Sequence, residues 1–275
     1  MSLLSSLTAE LKDSGHKPIV PFLTAGYPDR ATFMGVMGAA ATAGCRLVEI
    51  GIPFSDPVAD GPVIQGASQT ALAGGMSLTE TIHLAAETRR DHGLAVVLMG
   101  YLNPILKMGP VEFAEACGEA EVAGIIVPDL PLEEAGPFRS LLMERGIELV
   151  DLVAPTTGED RLADHAEAAG GFLYLVSTTG VTGSGPGGGD DLESYVARVR
   201  NINPLPLYVG FGIAEPDHAA RVANCADGAV VGSALIRIID QAKSGAVEAA
   251  GTFLQSMNDA MKSPGTGPAP ERTEA

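Results

Sequence analysis

Eight short apolar runs, most of them bounded by glycine or proline, recur along this chain and restrict its fold more than anything else in it. They are IVPFLTAG from residue 19, LVEIGIP from 47, AVVLMGY from 95, GIIVPDLP from 124, ELVDLVAP from 148, GFLYLVST from 171, PLYVGFGI from 206 and GAVVGSAL from 228. None alternates cleanly between apolar and polar, which is the pattern of parallel strands buried on both faces. Helical stretches lie between them. ATFMGVMGAAATAG and PFRSLLMERG end in glycine, and SLTETIHLAAETRRDHG opens with Ser77 and has Glu80 three residues on, a capping-box spacing. Eight strand–helix alternations in a chain of 275 residues predict an α/β protein, a closed (β/α)₈ TIM barrel. A doubly wound open sheet is the alternative, but it usually needs fewer strands, and no GxGxxG follows the first run. The expected organisation is a single domain over 1–262. The leucines of MSLLSSLTAELKDSGHK mark an amphipathic N-terminal helix and not a signal peptide, and SPGTGPAPERTEA, 263–275, is expected to be a disordered tail.

Composition narrows the function. Hydrophobic residues make up 46% of the chain, enough for a large core, and the net charge of −17 repels nucleic acid and anionic membranes. No run of 18 apolar residues exists to span a bilayer. Cys45, Cys117 and Cys225 have neither zinc spacing nor the even count of a disulfide framework. They read as reduced thiols in a cytoplasmic protein. The histidines are scattered, so no metal site is expected.

In a barrel, chemistry belongs at the C-terminal ends of the strands. The stretch LVEIGIPFSDPVADGP, 47–62, places Glu49 inside a strand and Asp56 and Asp60 in the loop after it. A carboxylate facing a barrel interior loses solvation, so its pKa rises and suits it to proton transfer; the competing reading is a structural glutamate paired with Arg or Lys. Asp60 lies where its loop can reach back over the mouth, although alone it would read as an ordinary solvated aspartate. Asp56 precedes Pro57 and reads as a turn residue. Tyr101 and Tyr174 end or occupy strands, and Tyr174 is equally readable as a core aromatic. No lysine lies in any of the eight runs, which argues against a Schiff-base aldolase.

A phosphate site is suggested by three loops on one rim: STTGVTGSGPGGGDD, GFGI and VGSAL. Glycines 183, 210, 212 and 232 would let backbone N–H groups approach an anion, and Ser233 adds a hydroxyl. Amide dipoles can bind an anion without a basic cluster, so the negative net charge is no obstacle. The glycine-rich run after the sixth strand reads as a lid or as a plain connection.

The motifs PFLTAGYPD, VEIGIPFSDPVADGPVIQ, VPDLPLEE, GVTG, GFGI and GSALI, in that order from residue 21 to about 239, closely resemble the tryptophan synthase alpha subunit family. The resemblance implies a lyase of tryptophan biosynthesis that cleaves indole-3-glycerol phosphate to indole and glyceraldehyde 3-phosphate. It makes Glu49 and Asp60 the catalytic pair, with Tyr174 beside them. It places Phe22, Thr24, Tyr101, Ile126, Asp129 and Thr182 where the family lines or orders its site. Phosphate falls on Gly183, Gly212, Ile213, Gly232 and Ser233. It also implies a partner, a beta subunit that carries pyridoxal phosphate, receives the indole and assembles as an α₂β₂ heterotetramer. Pro53, Asp56, Pro57 and Asn103 match the docking surface, and no cofactor is expected in this chain. STT before GVTG departs from members with an arginine there, and the glycines after it are unusually many, which bears on the lid and not on the chemistry.

Three other functions compete: a stand-alone indole-glycerol-phosphate lyase that releases free indole, another phosphate-handling barrel such as an isomerase or aldolase, and a non-catalytic docking module that only activates a beta subunit. The absence of a strand lysine and of metal ligands weighs against the second, and retention of both carboxylates against the third.

Overall fold

A computed structural model describes residues 1–176, 192–210 and 212–262. The glycine-rich run, with Thr182 and Gly183, and the tail from 263 lie outside the described residues, and the lid and tail expectations fall on them. All eight apolar runs form strands, nine in all. They are β1 (Ile19–Thr24), β2 (Leu47–Gly51), β3 (Ala95–Met99), β4 (Gly124–Ile126), β5 (Glu148–Leu149), β6 (Leu152–Val153), β7 (Leu173–Val176), β8 (Leu207–Gly210) and β9 (Gly228–Val231). Helices α1 (Leu3–Asp13), α2 (Arg30–Thr42), α3 (Pro62–Ala73), α4 (Leu78–His92), α5 (Leu102–Met108) and α6 (Pro110–Glu119) accompany the first half. Helices α7 (Gly136–Met143), α8 (Glu159–Ala168), α9 (Leu192–Ile202), α10 (Pro216–Cys225), α11 (Ser233–Ala242) and α12 (Ala246–Lys262) accompany the second.

Every ladder is parallel, and the spatial order is β5-β4-β3-β2-β1-β9-β8-β7-β6. The run ELVDLVAP forms two of these nine strands rather than one. Its first half pairs with β4 and its second with β7, so this one stretch of chain closes the ring and the barrel has eight staves. The break has a physical cause. Arg139 on α7 donates to the Leu149 carbonyl at 2.9 Å and to Asp151 Oδ1 at 2.7 Å, and His165 on α8 lies 3.0 Å from Asp151 Oδ2. A carbonyl and a carboxylate drawn outward to helix side chains interrupt the pairing between the two halves. The backbone still bridges it: Val150 N donates to Ile125 O and Tyr174 N to Asp151 O.

The staves are buried on both faces, as parallel strands flanked by helices must be. Helix α4 starts as its sequence predicts, with the Ser77 side chain accepting from Glu80 N, while the Glu80 carboxylate turns to Arg30 and His83. Helix α12 is fastened by Asn258, whose amide donates to Ala43 O and whose oxygen accepts from Ile19 N.

Helix α1 covers the N-terminal end of the barrel. Leu4, Leu7 and Leu11 are buried, and Thr8 donates to the Gly171 carbonyl at 2.7 Å. A side chain on Gly171, which sits at φ +74°, or on Gly124 would run into Leu4. One end of the barrel is therefore filled, which leaves the C-terminal rim for a ligand.

Candidate active site

Strand alternation and register place the inward-facing residues. Phe22 of β1 lies beside Glu49 of β2, Glu49 beside Val97 of β3, and Thr24 beside Gly51. The Phe22 ring crosses the space where Gly51 and Gly232 would carry side chains, which is why both positions must stay small. Glu49 is 1% exposed, and among the described residues neither its Oε1 nor the buried Thr24 hydroxyl has a hydrogen-bond partner. Among the described residues no Arg or Lys pairs with Glu49, so the structural ion-pair reading fails. Its significant charged neighbour is another acid, Asp60. Burial first, and Asp60 second, push the Glu49 carboxyl up to about 8.

Asp60 sits in the loop between β2 and α3. The Gln65 side chain donates to its carbonyl at 2.8 Å, and its own N–H donates to Pro57 O. Burial pushes its carboxyl up to about 6, and the Tyr101 hydroxyl facing it works in the opposite direction. The same hydroxyl accepts from Ala59 N at 3.0 Å, so Tyr101 ties down the residue before Asp60. Tyr101 is held in turn, because the next residue, Leu102, donates its N–H to Asp129 Oδ1 at 2.9 Å at the start of α5. The loops after β4, β3 and β2 thus form one hydrogen-bonded series ending at Asp60. Burial, then Glu49 and Asp60, raise the Tyr174 hydroxyl well above its ordinary value. The Tyr174 ring fills the space over Gly210, where a methyl group would meet its oxygen.

The structure brings Glu49, Asp60, Tyr101 and Tyr174 together, with Phe22, Thr24 and Ile126 on the surrounding inner walls. Asp129 is placed differently from a lining residue: it is exposed and orders the Tyr101 segment from outside. On the rim, β8 and β9 are neighbours, so Gly212 (φ +75°) and the buried Ile213 adjoin Gly232 and Ser233 at the N-terminus of α11. The α11 N-terminus has no side-chain cap and lies on this rim, and a helix N-terminus favours an anion. Of the four residues expected at a docking surface, Asp56 and Asn103 are exposed, whereas Pro53 and Pro57 are buried. Sequence reasoning missed Val58 and Leu106, which are 85% and 55% exposed beside them. It also missed Gln65, which no pattern marks, and Leu152, which strand parity from Tyr174 would have found.

The family described as tryptophan synthase alpha chain matches residues 8–263. The tryptophan synthase alpha chain of Citrifermentans bemidjiense is 44% identical over 241 residues, covering 88% of this chain and 90% of that protein. That of Geobacter sulfurreducens is 40% identical over 262 residues, covering 95% and 99%. Among solved structures, tryptophan synthase subunit alpha from Legionella pneumophila superposes with a TM-score of 0.86 at 36% identity, covering 95% of this chain and 99% of that one. Tryptophan synthase from M. tuberculosis superposes with a TM-score of 0.84 at 30% identity, covering 94% and 98%. An eight-stave barrel with two acids facing each other at its open end, matched along nearly its whole length by these relatives, belongs to the tryptophan synthase alpha chain family.

Proposed function

We propose that Glu49 and Asp60 carry out the alpha reaction of tryptophan synthase, the cleavage of indole-3-glycerol phosphate to indole and glyceraldehyde 3-phosphate. The observation that carries this reading is the orphaned Oε1 of Glu49, a fully buried acid whose neighbour is a second acid. At neutral pH an acid raised to about 8 keeps its proton, and one raised to about 6 has lost it. The protonated Glu49 donates to C3 of the indole ring. The ring nitrogen takes up positive charge, which Asp60 stabilises by accepting its N–H. Glu49, now a carboxylate, removes the proton of the hydroxyl next to the ring. The bond from that carbon to C3 breaks, its electron pair returns to the ring, and the released carbon becomes the aldehyde. The glutamate ends as it began, protonated, so one residue serves as acid and base.

The remaining inner-wall residues orient the ligand. Phe22, Ile126 and Leu152 enclose the ring, Thr24 offers a free hydroxyl, and Tyr174 stands over the two acids. Phosphate binds at the opposite end, on Gly212, Ile213, Gly232 and Ser233. Thr182 and Gly183 complete the assignment by family pattern. No cofactor is needed: the C3-protonated ring is itself the electron sink.

The alpha chain family works with a beta subunit, and pyridoxal phosphate belongs to that partner. Asp56 and Asn103, with the exposed Val58 and Leu106, form the docking face. Pro53 and Pro57 shape it from beneath. Among the described residues no helix is long and apolar enough to cross a membrane; a cytoplasmic location is part of this proposal. The test is release of glyceraldehyde 3-phosphate from indole-3-glycerol phosphate, measured with and without a beta subunit. Glu49→Gln is expected to lower turnover by at least about 10²-fold while glycerol-phosphate affinity stays within about threefold. Turnover close to that of the unsubstituted chain would end the assignment.

A further inference from the structure

We propose that Thr24 and Glu49 together hold one hydroxyl group of the ligand, the one on the carbon next to the indole ring, with Thr24 donating to its oxygen. Which hydroxyl it is rests on the function proposed above; that the pair recognises a hydroxyl does not. Thr24 is 0% exposed, and parity puts it on the inner face of β1, two residues nearer the rim than Phe22 and beside Gly51 of β2. Its Oγ1 has no partner among the described residues. A buried hydroxyl left unpaired is costly, and a valine would fill nearly the same shape in a strand without that cost.

Glu49 presents the complement. It lies on the neighbouring strand, on the same inner face, and its Oε1 is orphaned as well. Gly51, beside Thr24, has no side chain, and the Phe22 ring that crosses its place is apolar. The two orphaned atoms are not bonded to each other either. One group serves both if it gives a hydrogen to the Glu49 carboxylate and accepts one from Thr24. A hydroxyl does this through a single oxygen, whereas a carbonyl only accepts and an ammonium only donates. Tyr174 reaches the acids from the far wall, over Gly210, so Thr24 is the donor on the Glu49 side.

The contact matters most when the carbon–carbon bond breaks. Glu49, having given its proton to C3, takes the hydroxyl proton. The O–H electron pair becomes the second bond of the aldehyde, and the pair of the broken bond returns to the ring. Negative charge gathers on the oxygen as its proton leaves. Thr24 donates into that charge and keeps its own proton throughout.

The test compares two ligands on the full chain by calorimetry, 3-phenylpropyl phosphate and its 3-hydroxy derivative. They differ only in the hydroxyl next to the ring, and a benzene ring is too poor a proton acceptor for either to be cleaved. The unsubstituted chain is expected to bind the hydroxylated compound at least about tenfold more tightly, Thr24→Ser to keep that preference and Thr24→Val to lose it. Thr24→Val is also expected to keep or raise Tm, because it removes an unpaired buried hydroxyl. No preference in the unsubstituted chain, a preference that survives in Thr24→Val, or a lowered Tm in that variant would overturn the proposal. Release of glyceraldehyde 3-phosphate is measured separately, and Thr24→Val should lower kcat at least about tenfold. An unchanged kcat would remove Thr24 as the donor. An unsubstituted chain that releases none would refute the cleavage assignment and leave the binding preference standing.

Discussion

A single glutamate states the problem this protein solves. Glu49 is held where charge is expensive, with no cation among the described residues to offset it and an aspartate as its neighbour. That strain has two measurable signs. In activity, a step that needs Glu49 protonated and Asp60 ionised should give a bell-shaped pH profile of kcat/KM. It should rise as Asp60 loses its proton near 6 and fall as Glu49 loses its own near 8. A profile flat from pH 5 to ~9 would rule out the pair. In stability, the folded chain keeps a proton that the unfolded chain releases above about 4.5. Stability from this residue therefore falls as pH rises through that range, and the loss is complete once the pH passes the folded value near 8. Each unit of rise corresponds to about 1.4 kcal/mol. Glu49→Gln should accordingly have a higher Tm than the unsubstituted chain near pH ~9 and nearly the same Tm near pH ~4, read by thermal unfolding at both. Equal Tm differences at the two pH values would show that burial does not strain this carboxyl.

At the scale of elements, the fifth stave shows where sequence stops informing. Glycine and proline boundaries and a lack of alternation located all eight staves, because those signals are local. Glu49 was legible for the same reason: a charged residue in an apolar run can be seen without knowing what surrounds it. The break at Val150 and Asp151 depends on Arg139 and His165, which sit on two different helices, and no local pattern announces a side chain that reaches a strand from a helix. The role of Asp129 was obscure for a related reason, since a hydrogen bond to Leu102 across 27 positions is invisible to periodicity. The ion cluster gives its own prediction. Removing one member of a buried ion pair typically costs about 3–5 kcal/mol, because the other charge is stranded. Arg139→Ala should lose stability of that order in urea unfolding, by leaving Asp151 Oδ1 and the Leu149 carbonyl unmatched. A loss below about 1 kcal/mol would mean that the stave is broken for another reason.

For the whole molecule, one end of the barrel is filled and the other carries both the proposed catalytic acids and the exposed apolar residues expected to meet a partner. Leu106→Asp should weaken docking of a beta subunit by at least about tenfold, measured as Kd, with the turnover of the isolated chain as control. Unchanged affinity would move the docking face elsewhere. The filled end has a consequence in time. Helix α1 leaves the ribosome before the strands it covers, and its anchor points come far later: Ser2 and Ser5 reach Glu148 across 146 and 143 positions, and Thr8 reaches Gly171 across 163. The stopper is made first, and the vessel it seals is completed last. Until the sixth stave has been translated, those leucines have no seat, and a nascent chain carries them as an uncovered greasy patch. That stopper is thus a debt of synthesis order, settled only once Gly171 has emerged.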